Sequence, residues 1–173
     1  MKKNDELVVL VDKNDNQVGV ELKSRVHHKQ TPLHRGFSVF LFDEKGRVLV
    51  QQRAKGKKTW GGVWANSCCG HPGPGESYEQ AVRRRVKKEL GVEIKDLKKV
   101  SDYQYRFERK GVVENEICPV FRGKIEDKIK ADKTEVEAVE WLEWEEFLKS
   151  VKAKERDWAE WCREEVKLIR DRI

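Results

Sequence analysis

The chain has 173 residues, with 37 Lys and Arg against 31 Asp and Glu and a formal net charge of +6. That length suits one domain, and the six Trp and six Phe supply bulky side chains that disordered sequences lack. No apolar run approaches the roughly 18 residues of a membrane span, and four Cys are too few for a disulfide scaffold.

Met1 to Glu6 leads into only five apolar residues before Asp12, which does not fit a signal peptide. A thiol-reduced cytoplasmic protein with no membrane partner is therefore expected. Leu7 to Val11 and Gln17 to Glu21 predict two short strands around an Asp12-Lys13-Asn14-Asp15 turn. Gly36 to Phe42 and Arg47 to Gln52 predict a stronger hairpin, joined by Asp43-Glu44-Lys45-Gly46, with a glycine-rich passage from Gly56 to Gly75 beyond it. Ser77 to Leu90 predicts a helix. Ser77 suits the N-cap, Gln80 the capping-box position and Gly91 a left-handed C-terminal cap. Tyr78, Val82, Val86 and Leu90 recur at helical spacing and mark its buried side. Tyr103 to Phe107, Val112 to Phe121 and Val136 to Trp141 predict further strands. Glu143 to Val151 and Arg156 to Ile169 predict helices, the second with Trp158, Trp161, Cys162, Val166 and Ile169 on one side. Strands and helices in this order predict an α/β fold with a mixed sheet flanked by helices.

Most charge is interspersed by sign and reads as solvated surface. After Glu44, however, come Lys45, Arg47, Arg53, Lys55, Lys57 and Lys58 with no acid until Glu76, a stretch suited to meeting a phosphate. Asn66-Ser67-Cys68-Cys69-Gly70-His71-Pro72 holds two thiols and an imidazole within four residues. In an extended segment Cys69 and His71 share a side and Cys68 takes the other. A buried Cys pair beside a loop His fits the same letters. Glu114 and Glu116 share one face of an otherwise apolar strand, where they would repel and resist ionisation unless a cation joined them. A solvent-facing edge strand is the competing reading. With His27, His34 and His71, the two acids form a nitrogen-and-oxygen set suited to Mn²⁺, Fe²⁺, Mg²⁺ or Zn²⁺.

Gly70, Glu76, Arg84, Glu89, Gly91 and Val92 fall at the spacing of a Nudix box, and the stretch resembles one. The family pattern would place Glu immediately after Arg84 and immediately before Glu89; here those positions hold Arg85 and Lys88. A hydrolase would lose acids that it needs to hold several metal ions. Together with Val113-Glu114-Asn115-Glu116-Ile117-Cys118-Pro119-Val120, Thr31-Pro32-Leu33-His34-Arg35 and Gly62-Val63-Trp64, the chain from about Leu7 to about Trp161 resembles the type 1 isopentenyl-diphosphate delta-isomerases of the Nudix superfamily.

The resemblance implies one Nudix-like catalytic domain over residues 1–173. Its mixed sheet lies sandwiched between helices, and a C-terminal helix of about 156–171 covers the active site. It implies Cys69 and Glu116 as catalytic groups on opposite faces of isopentenyl diphosphate, with Tyr105 near Glu116. Trp161 would stabilise a carbocation, with Trp158 its rival. His27, His34, His71, Glu114 and Glu116 would hold one divalent ion, Mn²⁺ or Zn²⁺, with His28 the weaker ligand candidate. Glu89 and the Cys69 carbonyl would hold the Mg²⁺ that arrives with the diphosphate, and Lys23, Arg53, Lys57 and Arg85 would grip that diphosphate. The partner is thus a small molecule, with no nucleic acid; a monomer is expected. Two rival readings are a Nudix hydrolase of a nucleoside diphosphate derivative and a basic nucleic-acid module. The latter would want aromatics interleaved with the basic run and has no use for Cys69 or the Glu pair.

Overall fold

A computed structural model describes residues 6–172. Twelve strands and four helices follow one another among these residues. They are β1 (Leu7–Val11), β2 (Gln17–Leu22), α1 (Lys23–Val26), β3 (His34–Arg35), β4 (Phe37–Phe42), β5 (Val48–Arg53), β6 (Trp64–Ala65), β7 (Cys68–Gly70) and α2 (Tyr78–Leu90). Then come β8 (Lys95–Ser101), β9 (Gln104–Arg109), β10 (Val112–Ile117), β11 (Val120–Lys124), β12 (Val136–Leu142), α3 (Trp144–Ala153) and α4 (Glu160–Ile169). The strands form two mixed sheets. One runs β2-β1-β3-β10-β9 and the other β12-β5-β4-β11-β8, with β6 on β5 and β7 on β4.

Every side chain of β4 is buried, because alternate residues feed two cores. Phe37, Val39 and Leu41 pack with Val82, Val86 and Leu90 of α2. Phe40 and Phe42 pack with Phe147 of α3 and with Trp161, Cys162 and Val166 of α4. Helices therefore cover both faces of the larger sheet, as expected from the sequence. The capping box on α2 is present: Ser77 accepts from the Gln80 amide at 3.2 Å and donates its own amide to the Gln80 side chain at 2.9 Å. Gly91 closes that helix at φ 73°. No described helix is long and apolar enough to cross a membrane.

Three boundaries differ from the sequence reading. The strand expected over 112–121 is two strands in two sheets, divided at Cys118-Pro119, where proline brings no amide to a ladder. The last helix starts at Glu160 rather than near 156, because Trp158 is held in an extended bridge to Trp64. The hairpin of β4 and β5 pairs only at Phe42 and Val48 and then splays. β6 and β7 fill the opening, one on each strand. Asn66 and Ser67 span the gap between them. Ser67 Oγ donates to Leu49 O at 2.6 Å and accepts from Leu41 N at 2.7 Å, while Asn66 Nδ2 donates to Val39 O at 3.1 Å.

Candidate active site

The two sheets meet where β3 runs into β4 beside β10 running into β11. Gly36 N donates to Ile117 O at 2.9 Å and Ser38 N to Pro119 O at 3.2 Å, so the paired chains pass from one sheet to the other together. This crossing places His34 opposite Glu116 in parallel register, and β9 places Tyr105 opposite Glu116 from the other side. A side chain at position 36 would fill the junction: a Cβ there would lie 1.7 Å from Glu116 Oε2. Gly36 is therefore the space that Glu116 occupies.

Around Glu116 the five suspected ligands converge. One donor atom from each of His27, His34, His71, Glu114 and Glu116 lies within 4.8 Å of all the others. His71 Nε2 lies 3.0 Å from Glu116 Oε1, and His34 Nε2 lies 3.5 Å from the same oxygen. His27 Nε2 and Glu114 Oε2 approach to 2.9 Å, yet both are buried without a hydrogen-bond partner. Five such groups gathered in one place, with His27 Nε2, His34 Nε2 and Glu114 Oε2 left unpartnered, fit a divalent cation. Burial opposes the charge on Glu116, but its contacts with His34 and His71 prevail and hold its carboxyl well below the usual range. Burial drives His71 down to about 3. His28 stands apart: exposed, its Nδ1 accepts from Gln30 N at 3.1 Å.

His27, His71, Glu114 and Glu116 line one side of a cavity of about 420 Å³ whose other walls include Cys69, Tyr105, Arg53, Lys57, Arg85 and Trp161, with His34 buried behind them. Alternation along β7 works as the sequence suggested: Cys68 is fully buried against the α2 core, and Cys69 opens on the cavity. The Cys69 thiol donates to Asn66 Oδ1 at 3.1 Å and lies 3.5 Å from Ser38 Oγ. Burial, with the charge of Glu165 next, pushes it up to about 12. Trp161 donates its indole N–H to the same Asn66 oxygen at 3.2 Å and stacks on Tyr105 at 6.2 Å between centroids. Trp158 packs instead against Phe147 and Trp64, away from the cavity lining. Tyr105 is pushed well up by burial, with Glu116 adding to the shift.

The basic rim is less free than the sequence suggests. Lys23 pairs with Glu6 at 2.7 Å, Lys57 with Glu135, and Arg53 donates to Thr59 O at 3.1 Å. Arg85 is surrounded by carboxylates: Glu89 one helical turn on, Glu6 at 3.2 Å and Glu135 at 3.4 Å. Glu89 is buried behind Arg85 and is not part of the cavity lining. Glu6, Glu135 and Ser38 were missed by sequence reasoning, and Asn66 stood out only as part of the Cys69 motif with no role of its own, since single polar residues in a chain this polar carry no spacing signal.

Residues 32–162 match the NUDIX domain family model. The isopentenyl-diphosphate Delta-isomerase of Mycolicibacterium vanbaalenii is 52% identical over 133 residues, covering 76% of this chain and 74% of its own. That of Saccharopolyspora erythraea is 44% identical over 163 residues, covering 93% and 84%. The chain belongs to the isopentenyl-diphosphate Delta-isomerase family of Nudix proteins. Among solved structures, the DR0079 protein of Deinococcus radiodurans superposes with a TM-score of 0.73 at 21% identity, over 96% of this chain and 98% of its own. The MutT protein of Methanosarcina mazei reaches 0.61 at 23%, over 78% and 91%. These two likenesses bear on the fold alone.

Within this isomerase-family chain the Nudix box has a structural half and an altered half. Arg84 forks onto Glu76 with two contacts of 2.7 Å, and Glu76 also accepts from Gly73 N at 2.8 Å, which ties the loop to α2. At the altered positions Arg85 and Lys88 bring positive charge, and Lys88 reaches Glu6 at 2.9 Å.

Proposed function

We propose that the protein interconverts isopentenyl diphosphate and dimethylallyl diphosphate. The observation that carries this reading is the single cavity in which a thiol, a carboxylate, a five-ligand cluster and a basic rim meet. Moving the double bond requires one proton added to the terminal methylene and one removed from the methylene two carbons along. The tertiary cation between these steps must be shielded from water.

Cys69 and Glu116 reach the cavity from different sheets, and we assign them to opposite faces of the substrate as the proton-transferring pair. Tyr105, opposite Glu116 in the ladder, passes the proton to or from that carboxylate. The Trp161 ring faces the cation, a role that suits an indole. Arg53, Lys57, Lys23 and Arg85 grip the diphosphate, which on entry displaces Glu6 and Glu135 from their cationic partners. His27, His34, His71, Glu114 and Glu116 would hold one ion, Mn²⁺ or Zn²⁺, while Glu89 and the Cys69 carbonyl would hold the Mg²⁺ of the diphosphate. Ions held there would supply positive charge against which the clustered carboxylates could stay ionised and the diphosphate bind.

Dimethylallyl diphosphate is allylic and so labile to acid, whereas isopentenyl diphosphate is not. Incubation of the protein with isopentenyl diphosphate and Mg²⁺ is expected to yield acid-labile product without prior release of phosphate. Phosphate or nucleoside monophosphate released from nucleoside diphosphate derivatives, with isopentenyl diphosphate untouched, would assign the cavity to hydrolysis instead.

A further inference from the structure

Asn66 lies between β6 and β7, wholly buried and outside the cavity lining. An amide side chain offers two N–H donors and two oxygen lone pairs, and here all four are used. The donors go to the sheet: Nδ2 donates to Val39 O at 3.1 Å and to Cys68 O at 3.0 Å. Val39 and Cys68 face each other in the β4–β7 register, so the amide clamps the end of that pairing. Both acceptors are backbone carbonyls, and a flipped amide would set its own oxygen against theirs. The side chain therefore has one orientation, with Oδ1 turned toward the site.

That oxygen accepts from the Cys69 thiol at 3.1 Å and from the indole N–H of Trp161, 95 residues away, at 3.2 Å. Both of these partners line the cavity. The needs of the sheet account for the amide nitrogen alone. The oxygen ties one group from β7 and one from α4 to a single point. Tyr105 stacks on Trp161 at 6.2 Å and Trp60 meets it edge-on at 5.4 Å. Ring contacts of this kind are broad in geometry, whereas the bond to Asn66 fixes which edge of the indole faces it. In the proposed reaction the carbon that gains a proton and the carbon that loses one both adjoin the cationic carbon. Thiol and ring must therefore address neighbouring atoms, where a misplacement of about 1 Å costs up to about a hundredfold in rate. We propose that Asn66 is a positioning residue that sets the Cys69 thiol and the Trp161 ring against each other. This rests on the isomerase reading, in which both groups face the substrate.

The test separates the two ends of the amide. Asn66→Asp keeps an oxygen toward Cys69 and Trp161 but loses at least one donor to the sheet, and Asn66→Ala loses both ends. Both variants should melt below wild type. Per folded, metal-loaded chain, Asn66→Ala is expected to lower kcat on isopentenyl diphosphate about tenfold or more, with KM changed less than about threefold. Asn66→Asp is expected to recover at least about threefold of that loss, which a merely structural role would not produce. Raman spectra give a readout independent of activity. The S–H stretch of Cys69, isolated as the difference between wild type and Cys69→Ala, should lie at the lowered frequency of a bonded thiol. It should rise in Asn66→Ala and stay low in Asn66→Asp. Full kcat in Asn66→Ala, equal kcat in both variants, or a Cys69 band that does not move would overturn the proposal. If neither variant folds, the wild-type band decides, and the frequency of an unbonded thiol would overturn it equally. Wild-type protein inactive on isopentenyl diphosphate, with its Cys69 band still lowered, would instead remove the isomerase reading and this inference with it.

Discussion

Cys68 and Cys69 are neighbours in the chain, yet one packs under α2 and the other faces the cavity. Cys68→Ala removes a small buried group and should cost about 1 kcal/mol of stability in denaturant titrations while turnover is kept. Cys69→Ala should fold normally, retain its metal and lose nearly all isomerisation, because one face of the alkene then has no proton carrier. Cys69→Ser should keep a trace, since a hydroxyl is far less acidic than a thiol. Turnover surviving in Cys69→Ala would remove the thiol from the mechanism. The lysines make a parallel contrast. Lys57 lines the cavity, whereas Lys55 projects into solvent and comes no closer than 4.0 Å to Glu137. A charge-assisted phosphate contact is worth about 1.5–3 kcal/mol, so Lys57→Ala should weaken diphosphate binding about tenfold or more and Lys55→Ala should not. Calorimetry with inorganic diphosphate and Mg²⁺ checks this, and equal small effects would mean that the basic run is surface.

At the scale of elements, the crossing of β3–β4 beside β10–β11 makes the site. Gly36→Ala should displace Glu116, because the added carbon lies within bonding distance of its carboxylate. Metal content of the purified variant should fall from roughly one ion per chain, with Tm changed far less than for a core truncation. Unchanged metal content would show that Glu116 is not held there. This crossing was only half legible in the sequence. Val112 to Phe121 reads as one apolar strand, and neither Cys118-Pro119 nor Gly36 announces a change of sheet. β8 left no signal, because Lys95-Asp96-Leu97-Lys98-Lys99-Val100 lacks the alternation of a half-buried strand. α2 was fully legible, since its cap, its stop and its apolar spacing are local. The cluster of three His and two Glu was legible as a set only because Glu114 and Glu116 stand out within an apolar run. Glu6 and Glu135 resemble any surface acid until the fold brings them to Arg85.

Over the whole molecule, that arrangement joins distant parts of the chain: Glu6 before β1, Lys57 after β5, Arg85 in α2 and Glu135 before β12. Burial raises the Glu135 carboxyl, but the Lys57 contact more than offsets it and brings it down from 4.5 to about 2. A depressed carboxyl stabilises the fold above its unfolded pKa, and that stabilisation is lost as pH falls through the folded value. Wild-type Tm should therefore drop more steeply between pH 4.5 and 2 than that of Glu135→Gln, and matching slopes would contradict the pairing. On the proposed function, two proton-handling side chains meet one alkene in this cavity. Proton NMR of isopentenyl diphosphate incubated in D₂O with the protein and Mg²⁺ tests it most directly. Deuterium should enter a methyl group as dimethylallyl diphosphate forms, and Cys69→Ala should abolish the conversion. Unlabelled product, or a substrate left unchanged while the protein holds its metal, would contradict it.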